Sequence, residues 1–234
     1  MHAGSIRLIV AGAALLAIAI GCSDGIFCPD DCGSNPPPTQ AAPAIPSPTS
    51  AENVIEAIAV IYNDKVRIAS DRSEAYAALF DPSFIFRFQA ADVDSGLPPA
   101  WQLEEELAAN RAMFNAQDHG DIYSLELRVT HDPAIDVVPS IPGSEGWKQV
   151  FASNVYLRLM LNPNEGVEVN GGQGVFVFSP PVNGEWKIAA WMDLPVPTSG
   201  RGSNVESGTW GQIKYRYSPH KPEPRLSQLH LPQP

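Results

Sequence analysis

Apolar residues recur at helical spacing through the first third of the chain's central region, then switch to strict alternation. Val54, Ile58, Ile61 and Tyr62 fall three or four apart behind Thr49-x-x-Glu52. That spacing, after a capping-box signature, predicts an amphipathic helix reaching about Arg67. Asp71-x-x-Glu74 opens a second, shorter helix with Tyr76, Leu79 and Phe80 inward, stopped by Asp81-Pro82. Phe84 to Phe88 places an aromatic ring at every second position and predicts a strand. Beyond Pro98-Pro99, Trp101 to Asn115 reads as a third helix with Leu103, Leu107 and Phe114 as its buried stripe. Leu125, Leu127 and Val129 then alternate with polar residues, and long strands are expected over Trp147–Leu161, Gly174–Ser179 and Trp186–Asp193. The last two are joined by Pro180-Pro-Val-Asn-Gly184, whose Asn-Gly end is a hairpin signal. Helices followed by a run of antiparallel strands predict an α+β fold with the helices on one face of the sheet.

The two ends of the chain follow neither pattern. Leu8 to Ile20 carries no charge, sits behind Arg7 and ends at Gly21-Cys22. A spanning helix needs about 20 apolar residues, so this run reads as a secretory signal over residues 1–21. Ala19-Ile20-Gly21-Cys22 resembles the lipobox of bacterial lipoproteins, in which the Cys becomes the lipidated first residue; Cys22 is the expected anchor. Ser23 behind it, where Asp is the inner-membrane retention signal, points by the same resemblance to outer-membrane sorting within the envelope. Cys28 and Cys32 are close enough for one small-loop disulfide in an oxidising compartment, and they lack the neighbouring His a metal site would need. Residues 22–50 are rich in Pro and poor in large apolar residues, which predicts an extended tether. Residues 51–217 are the expected folded domain, with Trp210 to Tyr217 docking back onto it, and residues 218–234 the expected disordered tail.

Composition narrows the partners. The chain of 234 residues has a net charge of −11, and nine Lys/Arg against 21 Asp/Glu in residues 51–196 put the acidity in the domain itself. Such a surface repels phosphate backbones, so nucleic acid is excluded as a partner class. Nothing in the sequence calls for a cofactor. Asp92-x-Asp94-x-Gly96 begins like a calcium loop but has Leu103 where a bidentate Glu is required. Gly171-Gly-Gln-Gly174 lacks the spacing of a nucleotide loop.

The order of several features resembles the nuclear transport factor 2-like, or SnoaL-like, superfamily of cone proteins. These are the helix ending Ala78-Leu-Phe-Asp-Pro82, the strand Phe84-Ile-Phe-Arg-Phe88, Trp101-x-x-Glu104, Met113-Phe114, Gly184-Glu-Trp-Lys-Ile188, Trp191-x-Asp193 and Trp210-Gly-Gln-Ile-Lys214. The resemblance implies a strongly curved antiparallel sheet wrapped around three N-terminal helices, its open end a ligand pocket or a dimer surface. It implies no single chemistry, because the fold hosts enzymes and non-enzymes. Ketosteroid isomerases of this superfamily carry a catalytic Asp where an ungapped count from Phe80 lands on Phe88, and a phenyl ring cannot abstract a proton.

Three functional readings follow. In the first, a membrane-anchored, non-catalytic cone binds a small apolar ligand or an envelope partner, with Tyr62, Phe86, Phe88, Trp101, Arg111, His131 and Tyr156 lining it. In the second, an isomerase- or cyclase-like enzyme uses His131 or Asp193 as acid and base. In the third, the domain is a structural homodimerisation module. Each candidate also has a plainer role: Tyr62 as a core residue, His131 at a strand end, Asp193 as a cap, and Glu104-Glu105-Glu106 as charge complementing a helix dipole.

Overall fold

Ser50, not Thr49, caps the first helix: its hydroxyl accepts the Asn53 N–H at 3.2 Å, while Thr49 accepts the Asn53 side chain at 3.1 Å. Glu52, the other half of the expected box, accepts the Ala134 N–H at 2.8 Å. The helix, α1 (Ala51–Asn63), buries Val54, Ile55, Ile58, Ile61 and Tyr62 along one stripe. It stops four residues short of Arg67 because Asp64 turns the chain, its carboxylate accepting the N–H groups of Val66 and Arg67 at 2.8 and 3.0 Å. α2 (Ala69–Ala77) follows, then β1 (Phe80–Arg87). A short α3 (Ala90–Asp94) precedes β2 (Ala100–Gln102), so Trp101 lies on a strand and not at the head of a helix. Pairing explains the difference: Trp101 stands opposite Phe86 in an antiparallel ladder, and the two rings pack 5.6 Å apart. α4 (Leu103–Asp118) begins only after that contact is made.

The second half of the domain is sheet. β3 (Ser124–His131), β4 (Ile135–Asp136), β5 (Lys148–Asn162), β6 (Glu165–Val182) and β7 (Glu185–Leu194) run in sequence, with β8 (Glu206–Ser207) and a terminal α5 (Trp210–Arg216) behind them. This computed structural model describes residues 40–137, 145–195 and 206–219. The expected signal, Cys22, the Cys28–Cys32 pair and all but the first residues of the expected tail lie outside them. Strand order is β2-β1-β7-β6-β5-β3, with β4 on β5 and β8 on β6. Pairing is antiparallel except β1 with β7 and β6 with β8, which run parallel. Asn183 and Gly184 both take positive φ, 55° and 82°, the geometry a two-residue hairpin turn needs between β6 and β7. β6 is three times the expected length, continuing the hairpin with β5 through the turn at Pro163-Asn164.

Curvature comes from irregular register. The β5–β6 ladder slips between Ala152 and Val155 and again before Leu157, and β6–β7 slips between Val177 and Phe178. Each slip places extra residues on one strand and bends it. The result is a large, curved, unclosed sheet whose concave side faces the helices. Phe84, Phe86, Leu125, Leu127, Leu157, Phe176, Phe178, Ile188 and Trp191 line that side, each at most 2% exposed. The fold is therefore α+β as expected.

The compact unit begins at Ala41, ten residues before α1. Part of the expected tether belongs to it. The Pro43 carbonyl accepts from Arg67 at 2.9 Å, the Pro48 carbonyl from the Trp186 N–H at 2.8 Å, and Ile45 packs against the core.

Candidate functional site

Inside the curved sheet the helices place a buried polar cluster that touches several aromatic rings. Stepping back along α4 from Met113-Phe114 by helical spacing reaches Asn110 and then Glu106, both at most 1% exposed. Leu103 and Leu107, expected on that stripe, are only half-buried. From the far end of the chain, α5 turns Trp210, Ile213 and Lys214 inward, with Lys214 at 0% exposure.

Glu106 is the hub. Its Oε1 accepts from Lys214 Nζ at 2.5 Å, Tyr76 Oη at 2.6 Å and Asn110 Nδ2 at 2.9 Å, and its Oε2 accepts from Trp101 Nε1 at 3.2 Å. Tyr62 donates its hydroxyl to Asn110 Oδ1. The Lys214 ammonium also lies 3.8 Å from the Trp191 ring centre, 4.6 Å from Phe86 and 5.1 Å from Trp210. Burial pushes the Lys214 amine down to about 8, even though the Glu106 charge works against that fall. Burial, and then the same carboxylate, push the Tyr62 and Tyr76 phenols well above their ordinary range, so both remain donors.

A second acidic pair holds the head of α5. Thr209 caps the helix, accepting the Gln212 N–H at 3.0 Å. Asp92 accepts the Thr209 hydroxyl at 2.7 Å and the Gln212 side chain at 2.8 Å. Asp193 accepts the Gly211 N–H at 3.2 Å, and burial, reinforced by the neighbouring Asp92, pushes it up to about 7. The acidic run that began like a calcium loop therefore serves to fasten a helix.

The expected site residues divide between inside and outside. Tyr62, Phe86, Phe88 and Trp101 are buried together, Phe88 packing 4.9 Å from both Phe86 and Trp101. Arg111 is exposed on the outer side of α4. Tyr156 lies half-buried under the Arg128 guanidinium, 5.2 Å from it. His131 keeps the parity of Val129 and is, like it, half-buried at the end of β3; its Nδ1 sits 3.1 Å from the Asp132 carbonyl. Asp193 lies beside the aromatic cluster, close enough for its charge to act on the Lys214 ammonium, and His131 stands at the end of β3. Lys214, Glu106, Asn110 and Tyr76 were not among the expected site residues.

A separate surface groove of about 580 Å3 lies where the α1–α2 loop meets the end of α4, lined by Lys65, Arg67, Ile68, Arg72, Asp118 and Tyr123. Two of its three cations are paired, Arg72 with Asp118 at 2.6 Å and Arg67 with Asp64 behind the groove. Among the described residues no group of three or more His, Cys, Asp or Glu side chains is arranged to hold a metal ion, and no helix is long and apolar enough to cross a membrane.

No family model matches the sequence, and no curated protein does. Solved structures similar to it include a conserved protein from Planctomyces limnophilus, at 18% identity over 54% of this chain and 82% of that one, with a TM-score of 0.39. AusH from Aspergillus nidulans is 16% identical over 67% of this chain and 87% of its own, at a TM-score of 0.38. Naphthalene 1,2-dioxygenase with indole bound in its active site is 11% identical over 66% of this chain and 81% of the matched chain, at 0.44. Helices packed into the concave side of a curved, open sheet are the fold that the resemblance to the nuclear transport factor 2-like cone proteins implied.

Proposed function

We propose that this chain is a lipid-anchored protein of the cell envelope whose cone is a closed, non-catalytic module that meets an envelope partner through its outer surface. The observation that carries the reading is the filling of the interior by the chain's own α5. Trp210 stacks 4.7 Å from Trp191 and 5.6 Å from Tyr62, and the Lys214 ammonium takes up the Glu106 carboxylate. A charged or aromatic ligand would need those same partners. The two acid–base candidates support an enzyme poorly, because His131 is half-exposed at a strand end and Asp193 is committed to the Gly211 N–H. The anchor rests on the uncharged run Leu8–Ile20 and the lipobox-like Ala19 to Cys22.

Two measurements test the two halves separately. Cys22→Ala should shift the exported protein from the membrane pellet to the soluble fraction, and continued sedimentation with membranes contradicts the anchor. The native protein should leave anilinonaphthalene sulfonate fluorescence unchanged; saturable enhancement at neutral pH would mean an open apolar interior and defeat the closed-cone reading.

A further inference from the structure

The interior cluster contains more chemistry than packing requires. A buried ammonium and carboxylate carry a large desolvation penalty, and apolar residues of similar size would fill the same space without it. What the cluster does contain is the full set of parts for an acyl transfer. Lys214 Nζ and Asn110 Nδ2 both contact one oxygen, Glu106 Oε1, at 2.5 and 2.9 Å. The Asn110 carbonyl oxygen is polarised by the Tyr62 hydroxyl. Tyr76 and Trp101 fix the Glu106 carboxylate from two further sides, at 2.6 and 3.2 Å. Tyr62, Tyr76, Glu106 and Lys214 are 0% exposed and Asn110 is 1% exposed, so water does not compete.

We propose that Lys214 and Asn110 join in an intramolecular isopeptide bond, with Glu106 moving the protons, and that this bond fastens the terminal helix α5 covalently to α4. The Nζ lone pair attacks Asn110 Cγ and forms the new C–N bond, while Glu106 takes a proton from Nζ. Negative charge gathers on Oδ1 and is met by the Tyr62 hydroxyl. The tetrahedral centre then collapses, the Cγ–Nδ2 bond breaks, and Glu106 returns its proton to Nδ2, which leaves as ammonia. The product is a neutral secondary amide; no oxidant, reductant or co-reactant is consumed. Attack needs the unprotonated amine, and the fall of the Lys214 amine to about 8 makes a usable fraction of it available near neutrality.

The full chain, digested under denaturing conditions and examined by mass spectrometry, decides the matter. The peptide carrying Lys214 should be joined to the one carrying Asn110, their combined mass lower than the sum by about 17 Da, one ammonia. Trypsin should fail to cut after Lys214. Separate peptides with an unmodified Asn110 would overturn the proposal. So would a link from Lys214 to Glu106, which expels water and lowers the mass by about 18 Da. Glu106→Gln preserves the size of the hub and cannot shuttle protons, so that variant should yield unlinked peptides; a link formed in it to the wild-type extent would refute the role of Glu106. The wild-type digest stands on its own if Glu106→Gln does not fold.

Discussion

Asp193 is the carboxyl whose protonation should be visible in the stability of the whole domain. It is 7% exposed, and burial beside Asp92 lifts it from 3.8 to about 7, the Gly211 N–H opposing the rise. The folded chain therefore holds this proton more tightly than the unfolded chain does. The resulting stabilisation is complete below the ordinary carboxylate range, declines as pH rises from about 4 to about 7, and is gone above that. Asp193→Asn cannot ionise and still offers an oxygen to Gly211. It should unfold at higher urea than the wild type above pH 7, by about 1–3 kcal/mol, with the gap closing toward pH 4. A gap that stays constant across that range would mean Asp193 is not the titrating group. The role of Asp193 as a cap was open to sequence reading, as was the core burial of Tyr62. Glu106 and Lys214 were not read as a pair, because a charged residue near a helix start or on a terminal helix is ordinarily solvated. The signal present was periodic: Glu106 and Asn110 continue the Met113-Phe114 stripe, and Lys214 falls four residues after Trp210 on the same face.

Glycine 211 shows how closely α5 is fitted to the cone. A Cβ added there would lie 2.6 and 3.0 Å from ring carbons of Phe88 and 3.3 Å from an Asp92 oxygen. Phe88 is packed against Phe86 and Trp101 and has little room to yield. Gly211→Ala should lift the helix, lower stability by about 1–3 kcal/mol and shift tryptophan emission to the red as Trp210 meets water. Unchanged emission with an unchanged urea midpoint would show that α5 is not held where described. The elements themselves were mostly legible, since their periodicities are long and regular. Their ends were not, for local reasons. An Asx turn at Asp64 ended α1 early, and the Phe86–Trp101 pair drew Trp101 into a strand that propensity assigned to a helix. His131 kept the parity that simple alternation predicted, and its half-exposure reflects its place as the last residue of β3.

For the molecule as a whole, the order of helices before strands carried the fold class, because a sheet with one apolar face must bury it against whatever precedes it in the chain. What pattern could not reveal was where that unit starts. Residues 43–50 have the composition of a linker, yet their backbone is used: Pro43 and Pro48 supply carbonyls to Arg67 and to the Trp186 N–H, and Ser47 supplies one to the Asn53 side chain at 3.2 Å. Proline fits this task, since it loses little conformational freedom on docking and keeps its acceptor while lacking a donor. A chain beginning at Ala41 should therefore melt within about 1 °C of the full-length protein. One beginning at Ala51 loses these hydrogen bonds, the Ser50 cap and the packing of Ile45, and should be less stable by about 2–4 kcal/mol. Equal melting of the two truncations in a calorimeter would return residues 41–50 to the tether. A deficit confined to the shorter chain would make the segment a structural strap across the first helix and the β6–β7 hairpin.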